Sequence, residues 1–226
     1  MNSRQAQRRR QEAARARQAA KRRRRLGVAA VLAVVLVAGI GGLAVSAADR
    51  HQQPATSSRY LAGLQTGQAP WATNTADLAE RLQAIGLAPL NPIEGTAVHI
   101  HQHLDLYVDG RKVTVPAGIG IDPAVGFAPL HTHDPSGVLH VESPTVRTYT
   151  LGQFFAVWGV RFTPSCLGGY CAGGGRQLRV FVDGRPVQAD PTAITLEPHQ
   201  EIVIAFGTAA QLPSPVPSTY QFPPGL

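Results

Sequence analysis

Sulfur is scarce in this 226-residue chain, which has two cysteines and one methionine. That methionine is Met1, which argues against a Met-rich Cu(I) carrier. The cysteines, Cys166 and Cys171, stand five apart in CLGGYC, with no C-x-x-C and no second pair. A close pair outside the cytoplasm reads most simply as a disulfide closing a small Gly-rich loop, with two thiolate ligands as the rival reading. The recognised catalytic signatures HExxH and GxSxG are also missing. At this length a TIM barrel, which takes about 250 residues, is excluded too.

Positive charge is scarce in the body of the chain, although the formal net charge is +7. Residues 1–25 hold eleven Lys/Arg against the single acid Glu12, and the remainder holds ten against thirteen acids. The high pI therefore belongs to a short tail. A nucleic-acid groove on the folded part is not expected.

Charge is absent altogether from Leu26 to Ala48. At 1.5 Å per residue this stretch spans a bilayer core of about 30 Å. Arg22–Arg25 directly precede it, which keeps the N-terminus cytoplasmic and places the C-terminal part outside the cell membrane. Val45-Ser46-Ala47 resembles a signal-peptidase site, but the apolar run exceeds the roughly 7–15 residues of a signal h-region. An uncleaved single-pass anchor is expected. The lipid bilayer is then the partner of residues 26–48, and anionic lipid that of the Arg-rich tail.

The expected layout is a basic cytoplasmic tail over 1–25, a transmembrane helix over 26–48, a polar linker over 49–73, an extracytoplasmic domain over 74–211 and a Pro-rich, extended tail over 212–226. The domain is read as α+β, built of antiparallel β-hairpins with two short helices. Asn74 is read as the cap of the first helix, with Leu78, Leu82 and Ile85 on one face and Gly86 at its end. Thr150 and Gln153 form a capping box for the second, Leu151 to Trp158, which Gly159 ends.

Two segments repeat: LDLYVDGRKV from Leu104 and LRVFVDGRPV from Leu178 are identical at six of ten positions. Each carries an Asp-Gly pair, the strongest two-residue hairpin signal. Only the first copy is preceded by histidines, so the hairpin is architecture and the histidines are an addition. Further strands are expected over Ala193–Leu196 and Glu201–Phe206.

Six of the eight histidines fall between His99 and His140. In VHIHQHLDLYV the period is two. His99, His101 and His103 share one strand face with Asp105 and Tyr107, opposite Val98, Ile100, Leu104, Leu106 and Val108. Asp134-Pro135-Ser136-Gly137 reads as a turn that sets His131 opposite His140, so that His131, His133, His140 and Glu142 share a face. Opposed residues have Cβ atoms about 5 Å apart, close enough for two imidazoles to share one ion. Candidate metal ligands are therefore His99, His101, His103, His131, His133, His140 and Glu142, for Zn²⁺ or Cu²⁺. Asp105 and Asp134 are nearby carboxylates. The bland alternative is a set of surface or hydrogen-bonded core histidines, which suits His51 and His199 better than this cluster.

The run from His99 through HTHDPSGVLHVESP, the helix TLGQFF, the repeat FVDGRPV and the end STYQFPPGL resemble an uncharacterised family of bacterial single-pass membrane-anchored proteins. The resemblance covers roughly residues 68–226. It implies a shared extracytoplasmic domain and adds no activity, substrate or ligand set. The residues themselves point to a non-enzymatic, membrane-anchored domain binding a divalent transition metal in surface metal handling. Two rivals remain. One is a zinc-dependent hydrolytic enzyme with Glu142 or Asp134 as base. The other is a structural or interaction domain without metal.

Overall fold

The computed structural model describes residues 61–226. The expected tail 1–25, the apolar run 26–48 and His51 lie outside the described residues. Among the described residues no helix is long and apolar enough to cross a membrane.

The strands in chain order are β1 (Val98–Val108), β2 (Arg111–Val113), β3 (Ile121–Asp122), β4 (Gly126–Phe127), β5 (Leu130–His131), β6 (Val138–Ser143), β7 (Cys166–Leu167), β8 (Tyr170–Cys171), β9 (Gln177–Val182), β10 (Arg185–Pro186) and β11 (Glu201–Gly207). The helices are α1 (Leu78–Ala84) and α2 (Leu151–Trp158). The main sheet has seven strands in the order β10-β9-β11-β1-β6-β5, with β2 also paired to β1. The α+β reading with antiparallel hairpins holds, with one refinement: β1 and β11 run parallel, in a register that sets His103 beside Glu201.

Both copies of the repeat form tight hairpins. Val108 pairs with Arg111 and Val182 with Arg185. All four turn residues have positive φ: Asp109 at 53°, Gly110 at 78°, Asp183 at 51° and Gly184 at 74°. This is the type I′ geometry that matches strand twist and that Asp-Gly tolerates best. The two hairpins are not neighbours, because β11 is inserted between β1 and β9.

One sheet face is apolar. Leu104, Leu106, Leu139, Val141, Ile202 and Ile204 bury there against Phe154, Phe155 and Trp158 of α2. The capping box of α2 is complete, with Thr150 accepting from the Gln153 amide, and Gly159 ends the helix at φ 74°. The disulfide Cys166–Cys171 is present and closes the β7–β8 hairpin.

Three expectations are corrected. The linker reading of 49–73 fails for its described part. Leu61 and Trp71 are buried, and Trp71 meets Trp158 edge-on with ring centroids 5.9 Å apart. A tryptophan that packs on the core helix outweighs the polar residues around it. Helix α1 starts at Leu78, with Asp77 rather than Asn74 as its N-cap. The Asn74 carboxamide is spent on the preceding turn, where it accepts from the Ala76 amide at 3.0 Å. Ala193–Leu196 is not a strand. Asp190 accepts from the Thr192 amide and Pro191 opens a single 3₁₀ turn over Pro191–Ala193. After it, the Ile194 carbonyl accepts from the Leu151 amide and the Leu196 amide donates to the Tyr149 carbonyl, an isolated bridge that pairs Thr195 with Thr150.

Candidate metal centre

Three adjacent strands build the polar face. β6 is antiparallel to β1, so His101 faces His140 and His99 faces Glu142. β5 is antiparallel to β6, and there His131 faces His140. The turn between β5 and β6 is held by Asp134, whose carboxylate accepts from the Ser136 amide at 2.8 Å. His133 leaves β5 in time to turn back over the same face. The side chains of His101, His131, His140 and Glu142 are buried, while those of His99 and His133 stand at the rim, 49% and 41% exposed.

One carboxylate oxygen is the hub. Glu142 Oε1 lies 2.9 Å from His140 Nδ1, 3.4 Å from His99 Nε2, and 3.9 Å from both His101 Nε2 and His131 Nε2. His131 Nδ1 donates to the Ala128 carbonyl at 2.9 Å. Its proton is thereby placed on Nδ1 and the Nε2 lone pair is turned to the cluster, the usual orientation of a metal-ligating histidine. His131 Nε2 is 3.1 Å from His133 Nε2. Nitrogens around a tetrahedral zinc stand about 3.3 Å apart, from Zn–N bonds of about 2.0–2.1 Å, so this contact already has a ligand-to-ligand spacing.

A residue the sequence reading missed completes this side. Glu94 Oε1 sits 3.1 Å from His133 Nε2 and 3.6 Å from His131 Nε2. Glu94 comes from the loop before β1, which presses on β6 through the Ala97 amide and Ser143 carbonyl, 2.9 Å apart. A Cβ on Gly95 would stand 2.1 Å from the Ser143 carbonyl carbon, so only glycine allows this approach. No strand parity marks Glu94, and the glycine after it was the only available signal.

Burial sets the protonation. The His131 pKa falls to about 3, chiefly by desolvation, which outweighs the opposing bond to Ala128. His101 and His140 fall to about 4, again by desolvation first and then by mutual repulsion within the cluster. All three are therefore neutral at neutral pH, with lone pairs free to bind. Four groups, His131, His133, His140 and Glu142, each bring a ligand atom within 4.8 Å of the others, and so do His99, His101 and Glu142. These His/Glu groups could hold a metal ion.

His103 is drawn elsewhere. It forms a third group with Asp105 and Glu201, but both its ring nitrogens are engaged. Nδ1 meets Glu201 Oε2 at 2.7 Å, and Nε2 meets the Ser136 carbonyl at 3.0 Å. Tyr220 of the C-terminal tail stacks on its ring at 3.8 Å, and Lys112 pairs with Asp105 at 2.6 Å. This group reads as a tie between strands, the turn and the tail. Asp134 is exposed in its turn and takes no part in the cluster, its pKa lowered by the Ser136 hydrogen bonds. His199 is exposed and meets the Leu226 carbonyl at 3.2 Å.

Beside the cluster lies a cavity of about 150 Å³. Leu90, Ile93, Phe127 and Pro129 make its apolar wall, and Glu94 and Glu142 line it where it meets the histidines. Comparison with protein-family models, curated proteins and solved structures returned no match, so the chemistry of the site alone carries the functional reading.

Proposed function

We propose that the histidine face binds a divalent transition metal, Zn²⁺ or Cu²⁺, and that the domain serves metal handling at the cell surface. The observation that carries this is the group His131, His133, His140 and Glu142. Its donor atoms converge within 4.8 Å, and its two buried histidines stay neutral. Imidazole nitrogens with one carboxylate suit either ion.

The test is thermal unfolding of the chain, purified without a histidine tag and stripped with chelator. An ion at 100 times its Kd stabilises the folded state by about 2.7 kcal/mol. Zn²⁺ or Cu²⁺ should raise the melting temperature accordingly. His131→Ala and His140→Ala should each abolish the rise, and His199→Ala should keep it. A melting temperature that ignores both ions would sink the reading.

A second reading, metal-dependent hydrolysis, is favoured by the cavity that opens beside Glu142 and Glu94. An ion held by His131, His133 and His140 alone would keep its fourth position for a water and lower that water's pKa, and Glu142, off the ion in this reading, would take the proton. The loaded chain should then turn over an activated ester, and Glu142→Gln should stop it. A loaded chain without turnover leaves binding alone.

We also propose that Leu26–Ala48 anchors the chain in the cell membrane with the domain outside, because Arg22–Arg25 stand on its N-terminal side. A reporter active only in the cytoplasm, fused after Leu226, should be silent. Strong activity would reverse the orientation.

A further inference from the structure

The histidine face carries more donors than one ion uses. A tetrahedral ion takes four ligands, and His131, His133, His140 and Glu142 are four. His99 and His101 are then left over, yet both point at the same carboxylate oxygen, at 3.4 and 3.9 Å. His101 is the more telling of the two. It is 5% exposed, and its Nε2 is buried with no hydrogen-bond partner. A buried polar atom left without a partner costs about 1–3 kcal/mol, and native structures rarely keep one without a ligand or water to take it. The orphaned nitrogen faces the hub of the cluster rather than the core.

Charge allows a second ion here. An ionised carboxylate offers two oxygens and about four lone-pair sites, so one carboxylate can serve two cations. Glu94 lies against His131 and His133 and adds a second negative charge on the first ion's side. Two-metal sites hold their ions about 3.5–4 Å apart. The two histidine sets adjoin on the face, with the rings of His101 and His140, one from each set, 4.5 Å apart between centroids.

We propose that the face holds two divalent ions bridged by Glu142, one on His131, His133 and His140 and the other on His99 and His101. This rests on the metal-binding reading and extends it from a single site to a pair. The pair explains why β1 carries histidines at alternate positions, His99 across from Glu142 and His101 across from His140, and why His101 is buried unpartnered. A one-ion face leaves both features idle.

The experiment is a metal count on the detergent-solubilised full chain, without a histidine tag, stripped and then saturated with Zn²⁺. The expected result is two ions per chain. The double variant His99→Ala/His101→Ala should hold one, and His133→Ala should bind its first-site ion at least tenfold more weakly. His99 and His133 stand at the rim, so their loss leaves the core untouched. With Cu²⁺ instead of Zn²⁺, spin resonance should give a coupled pair with less signal than two isolated ions. His99→Ala/His101→Ala should restore one isolated signal. A wild-type chain that saturates at one ion overturns the pair and leaves the metal reading standing. So does a count of two that the double variant does not change. A count of zero overturns both.

Discussion

Replacing Arg81 by methionine will destabilise the domain by about 3 kcal/mol or more, from the cost of leaving buried carbonyls unpaired. Arg81 is fully buried, at 0% exposure, and it forms no ion pair with a carboxylate among the described residues. Its guanidinium instead gathers backbone carbonyls. Nε donates to Ala156 at 3.0 Å and Nη2 to Val157 at 3.3 Å, both in the last turn of α2. Nη1 donates to Ala76 at 2.5 Å and Nη2 also to Asn74 at 2.5 Å, in the segment that leads into α1. One side chain thus joins α1 to the C-terminal end of α2, where the helix dipole also favours a cation. Burial pulls its pKa down, opposed by the nearby Asp77 carboxylate.

Methionine keeps most of the stem and removes every donor. Lysine keeps the charge but lacks the planar fork, so Arg81→Lys should recover only part of the loss. For a domain of this size, 3 kcal/mol is a fall of roughly 6–12 °C in melting temperature. Urea unfolding that places Arg81→Met within about 1 kcal/mol of the wild type would refute the role.

The features that were legible in the sequence share a property: each is fixed by residues close together in the chain. The Asp-Gly hairpins, the capping box at Thr150, the pairing of His131 with His140 and the disulfide all follow from spacings of a few residues. The features that escaped depend on contacts across the fold. Glu94 reaches His133 from a loop with no periodicity. Arg81 looks like a surface position on a short amphipathic helix until α2 is laid beside it. His103 has the parity of His101, yet β11 arrives parallel to β1 and puts Glu201 against it. The repeat could not reveal that insertion, since two similar hairpins read equally well as neighbours. Trp71 in a polar stretch shows the same limit, because only the position of Trp158 makes it core.

The metal-free domain should lose stability steeply as the pH falls from about 6.5 toward 4. His101, His131 and His140 have folded pKa values of about 4, 3 and 4, all below the 6.5 of an unfolded chain. Above pH 6.5 these residues are neutral in both states, and their contribution is whole. Below it the unfolded chain takes up protons that the folded chain refuses, so the unfolded state gains. The loss is about 1.4 kcal/mol per pH unit for each histidine, and it ends near the folded pKa. Three such groups together remove several kcal/mol over two pH units, a large share of the 5–15 kcal/mol that holds a typical domain folded. Asp134, whose pKa the Ser136 hydrogen bonds lower, acts near and below its ordinary value of 3.8 and cannot account for a slope between pH 6.5 and 5. Urea unfolding of the stripped chain at pH 7, 6 and 5 measures the slope directly. His131→Phe, which cannot be protonated, should flatten it by up to one proton's worth. Saturating Zn²⁺ should shift the fall to lower pH, because each proton must then displace a bound ion. A stability that stays level from pH 7 to 5 in the stripped chain would mean that burial does not lower the pKa of these histidines.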